Sequence, residues 1–81
     1  MKKVERILNG VVGMVRVFKY YNYTRDEIYT NIKAYLIGTL GLNLSNKKDS
    51  KLIDVAFNKI YDCNSNANNP KIINEILMEV L

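Results

Sequence analysis

The segment Phe18-Lys19-Tyr20-Tyr21-Asn22-Tyr23-Thr24-Arg25 interleaves aromatic rings with cations, and it is the part of the chain with recognition character. Tyrosine and arginine add large contact area at low entropic cost, which favours them at protein interfaces. The same mixture can stack bases and neutralise phosphates on single-stranded nucleic acid. With Lys33 on the helix that follows, the candidate contact residues are Lys19, Tyr20, Tyr23, Arg25 and Lys33. The structural alternative is simpler: the tyrosines pack at a helix–helix corner and keep their hydroxyls in water.

Catalytic chemistry has little to work with. The chain has no histidine, which removes the commonest general base, zinc ligand and near-neutral switch. Cys63 is the single cysteine, so it forms no internal disulfide and has no histidine to activate it. No carboxylate spacing resembles an EF-hand loop. Gly10-Val11-Val12-Gly13 lies in an apolar helix and lacks the strand context of a phosphate loop. Asp26 with Glu27 fits a helix cap, and Glu75 with Glu79 a solvated face. The expectation is a non-enzymatic protein with no metal and no cofactor.

Four helices must position the candidate residues, at about 2–21, 25–40, 46–62 and 70–80. Their 3.6-residue periodicity and a single proline predict an all-α, compact, four-helix bundle-like domain over residues 1–81. Thr24-Arg25-Asp26-Glu27 reads as a capping box opening the second helix, which Gly38 or Gly41 ends, with Gly41 the preferred left-handed residue after the last turn. The third helix starts near Ser45 or Asn46, or later at Asp49 or Ser50, because Lys47, Lys48 and Lys51 oppose the helix dipole there. Cys63 to Asn69 reads as a loop, with Asn69 as cap and Pro70 at the first helical position of the fourth helix.

The first helix is apolar over more of its circumference than one packing face needs. Val4, Leu8, Val11, Val15 and Phe18 form a central stripe, flanked by Ile7, Val12, Met14 and Val17. Such a helix is wrapped by its neighbours or keeps apolar surface for a partner; wrapping is the expectation. Gly10 and Gly13, each costing about 1 kcal/mol against alanine, are expected to accommodate close packing. If Val12, Met14, Val17 and Tyr21 stayed exposed, their burial could yield roughly 1.5–3 kcal/mol each. Association costs about 4–15 kcal/mol, so these four support at best a weak homodimer.

The net charge of +4 is uneven: residues 1–40 hold seven basic and three acidic side chains, residues 41–81 five of each. A helix-turn-helix reading would place Lys51, Asp54, Asn58 and Lys59 on an exposed third-helix face, but they are a weak base-reading set. A membrane-surface role for the first helix lacks a strongly basic polar face. No apolar run approaches the roughly 20 residues of a spanning helix, and no cleavage site follows the start, so the cytoplasm is expected. Asparagine, isoleucine, lysine and tyrosine, all with A/T-rich codons, associate the chain with an AT-rich bacterial or phage genome. The resulting expectation is a small protein-binding regulatory module that binds another protein or itself; the alternative is a weak nucleic-acid-binding regulator.

Overall fold

Local hydrogen bonding sets where the helices of the amino-terminal half begin and end. A computed structural model describes residues 2–62 and 69–80, which form α1 (Lys2–Tyr20), α2 (Arg25–Leu40), α3 (Lys47–Asp62) and α4 (Asn69–Val80). The chain is an all-α globule of four packed helices. Its radius of gyration, 11.8 Å, matches the roughly 12 Å of a compact chain this long.

α1 ends in a Schellman motif. The Asn22 amide donates to the Lys19 carbonyl and the Tyr23 amide to the Phe18 carbonyl, both at 3.0 Å. Asn22 takes the left-handed conformation that this ending requires, with φ 62°. Asparagine tolerates it better than most residues because its short polar side chain bonds locally. The helix therefore stops at Tyr20, one residue short of the expected limit. One residue after Tyr23, Thr24 opens α2 with the expected capping box. The Glu27 amide donates to Thr24 Oγ1 at 3.1 Å, and the Thr24 amide donates to Glu27 Oε1 at 2.9 Å.

Gly41, with φ 64°, closes α2, and its amide donates to the Ile37 carbonyl at 2.9 Å. The start of α3 is not delayed by its lysines. Asn46 Oδ1 accepts from the Lys48 amide at 2.8 Å, while Asp49 Oδ2 accepts from the Asn43 amide at 2.9 Å. A capping side chain and a first-turn carboxylate thus offset the positive charge. α4 includes Asn69 in its first turn; the Asn69 side chain, Cys63 and the Asn-rich segment lie outside the described residues.

The core joins Leu8, Val11, Val12 and Val15 of α1 with Ile28, Ile32 and Leu36 of α2. Ile53, Ala56, Phe57 and Ile60 come from α3, and Ile72, Ile73 and Ile76 from α4. α1 packs against all three other helices, as its broad apolar surface requires. α3 does the same, so the centre is shared by these two, while α2 and α4 flank them without packing on each other.

Wrapping of α1 is incomplete. Val12 is buried and Met14 half-buried, but Val17 is 54% exposed and Tyr21 just beyond the helix is 66% exposed. Nor do the two glycines admit a neighbouring backbone. A methyl at Gly10 would touch only the Tyr35 hydroxyl, at 3.7 Å, and one at Gly13 would meet nothing within 4 Å.

Candidate interaction surface

The end of α1, the start of α2 and the last turns of α3 meet at one corner. Phe57 and Tyr61 are one helical turn apart on α3, so their rings share a face and stack at 5.4 Å. Tyr29 of α2 meets the Phe57 ring edge-on at 5.0 Å, extending the pair into a row of three rings. Its hydroxyl donates to Asp54 Oδ1 at 2.7 Å. That hydrogen bond raises the Tyr29 phenol above its ordinary range, with smaller contributions from burial and the Asp54 charge.

Three of the candidate cations lie along this row. Lys19 Nζ sits 4.1 Å from the Tyr61 ring centroid and donates to the Tyr61 carbonyl. A cation is favourable there, because the last carbonyls of a helix lack intrahelical donors and carry its negative dipole end. The Arg25 guanidinium lies 5.0 Å from the Phe57 centroid and 5.4 Å from that of Tyr61, and Nη2 donates to Asn58 Oδ1. Lys33, one turn after Tyr29, places Nζ 5.7 Å from the Tyr29 ring. Each geometry falls within the range of cation–π attraction.

The tyrosines divide. Tyr23 packs its ring on Phe18 at 5.0 Å, the hydrophobic contact that commonly accompanies a Schellman ending. Structural packing accounts for most of Tyr23, which remains 44% exposed. Tyr20 and Tyr21 instead stand 79% and 66% exposed, and their rings meet edge-on at 5.2 Å. Of the candidate residues, Lys19, Arg25 and Lys33 line the aromatic row of α2 and α3, Tyr23 packs on Phe18, and Tyr20 stands in water beside Tyr21, which was not among them. Composition around residue 20 could not reveal Phe57, Asn58 and Tyr61 as the partners of Lys19 and Arg25. The available signal was the one-turn spacing of Phe57 and Tyr61.

The third-helix residues considered for base reading are largely occupied. Asp54 accepts from Tyr29, Asn58 from Arg25, and Lys59 pairs with Glu79 of α4 at 3.1 Å; Lys51 is exposed. On the other side of the molecule, Glu5 and Asn9 of α1 face Pro70, Ile73, Asn74 and Leu77 of α4 across a shallow groove of about 300 Å³. Among the described residues, no cluster of metal-ligating side chains forms, and no helix is long and apolar enough to cross a membrane.

No protein-family model matches this chain, and comparison with curated proteins and with solved structures likewise found no match.

Proposed function

We propose that this chain is a non-enzymatic protein-binding module whose contact surface is the α1–α2 corner, with Tyr20 and Tyr21 as its anchors. The observation that carries the reading is the exposure of these two adjacent rings, 79% and 66%, beside a well-capped joint. A bare aromatic pair on a rigid corner loses little conformational entropy on binding, and aromatic anchors contribute most where they are desolvated. Val17, 54% exposed one turn before Tyr21, adds aliphatic surface next to them. Self-association burying Val17 and Tyr21 on both copies would gain roughly 6–12 kcal/mol at full burial, within the cost of association of about 4–15 kcal/mol, so these residues support at best a weak homodimer.

Affinity capture with the intact chain, with and without nuclease, tests this reading. The expected result is a protein recovered equally under both conditions and lost from the Tyr20→Ala/Tyr21→Ala double variant. Because both side chains are exposed, that variant should keep the wild-type melting temperature. Nuclease-sensitive recovery would transfer the surface to nucleic acid. Undiminished recovery by the double variant, or no recovered protein at all, would overturn the proposal.

A further inference from the structure

We infer that the partner is acidic: neighbouring carboxylates of a protein segment are held by Lys19 and Arg25 where both lie over Tyr61. This inference rests on the protein-binding reading and adds the chemistry of the partner to it.

Lys19 and Arg25 approach the same ring, at 4.1 and 5.4 Å from its centroid. Two like charges on one ring repel each other, and among the described residues neither has a carboxylate within ion-pair distance. The contacts that hold them are neutral: the ring face, the Tyr61 carbonyl and the Asn58 amide oxygen. Both side chains are exposed. Each retains donors, since an ammonium has three and a guanidinium five, and one of each is engaged. Ring and hydrogen-bond contacts also restrict both long side chains in advance, which reduces the entropy lost when an anion binds. A pair of oriented cations with spare donors and no counter-anion is suited to carboxylates, which form strong charge-assisted hydrogen bonds with such groups.

The same geometry disfavours nucleic acid at this position. Phe57 is buried, and the Tyr61 ring is already stacked on Phe57 and approached by both cations, so it is no open platform for a base. Asp54, bonded to Tyr29 in the same row, would repel a regularly spaced polyphosphate more than a local acidic segment.

The test is a nuclear magnetic resonance titration of the intact chain with a blocked oligo-glutamate peptide, an oligo-glutamine peptide and a short oligo-thymidine. The expected result is saturable shifts of the Arg25 Nε–H and Tyr61 ring signals with oligo-glutamate and none with oligo-glutamine. Lys19→Gln and Arg25→Gln should each weaken binding at least about tenfold. Lys47→Gln, at the opposite end of α3, should leave it unchanged, and Arg25→Lys provides a variant that keeps the charge and fold. Equal weakening by Lys47→Gln, tighter binding of oligo-thymidine, or no shift at millimolar peptide would overturn the inference. Should a protein still be captured through Tyr20 and Tyr21 in that event, the binding module stands and only the acidic partner is lost.

Discussion

Two stretches of the same helix behave oppositely. From Leu8 to Val15, α1 buries Leu8, Val11, Val12 and Val15 to within 2% of full burial, with α2, α3 and α4 packed on it. Just beyond, Val17, Tyr20 and Tyr21 stand mostly in water, while Phe18 between them packs against the core. Val17 is as apolar as the buried Val11, Val12 and Val15, so hydropathy alone does not decide its exposure. The chain leaves α1 through a Schellman turn just after the second one, and the helices that cover the first do not extend over Val17, Tyr20 and Tyr21. Burial here is decided by where neighbours end.

The largest expected contrast comes from truncating a core residue of the first stretch. Leu8→Ala should cost about 2–5 kcal/mol in chemical denaturation, because Leu8 is fully buried and its loss leaves a cavity. A cost below 1 kcal/mol would mean that the stretch is not wrapped as described. Gly13→Ala should move stability the other way, by about 1 kcal/mol, since the helix gains propensity and the new methyl meets nothing within 4 Å. A fall in melting temperature would show that something packs at Gly13 after all.

At the joint that ends the exposed stretch, Thr24→Ala should cost about 1 kcal/mol by removing the cap. Tyr20→Ser should change stability by no more than about 0.5 kcal/mol while abolishing capture of the partner. The smallest effect concerns Glu27, whose carboxyl is held below its ordinary range by hydrogen bonds with the Thr24 backbone and then its side chain. A lowered carboxylate value stabilises the fold above the unfolded-state pKa and loses that contribution as pH falls through the folded value. Melting temperature should therefore decline slightly more steeply in the wild type than in Glu27→Gln below about pH 4. Parallel curves would remove the Thr24–Glu27 contact as a source of acid sensitivity.

Local chemistry made much of the fold legible. Thr24 and Glu27 announce the start of α2, Gly41 its end, and the Ile28, Ile32, Leu36, Leu40 stripe its inner face, of which Leu40 is only half-buried. The Asn22 ending was less visible, because asparagine after a helix can be a cap, a turn or a left-handed residue, and only the hydrogen bonds distinguish them. Of the candidate surface, the residue types at positions 19–25 were visible but their partners were not. Lys19 and Arg25 meet Tyr61 and Asn58 more than thirty positions away.

What the amino-acid order determines by itself is local: helix periodicity, the caps at Thr24 and Gly41, the lack of histidine, and an excess of positive charge in the first half. These follow from short-range sterics, hydrogen bonds within a few residues, and composition. Tertiary packing decided that α3 shares the centre with α1, that Tyr20 and Tyr21 stay in water, and that two cations converge on one ring. Those outcomes depend on how helices of unequal length cross and where each stops, and no local spacing encodes that.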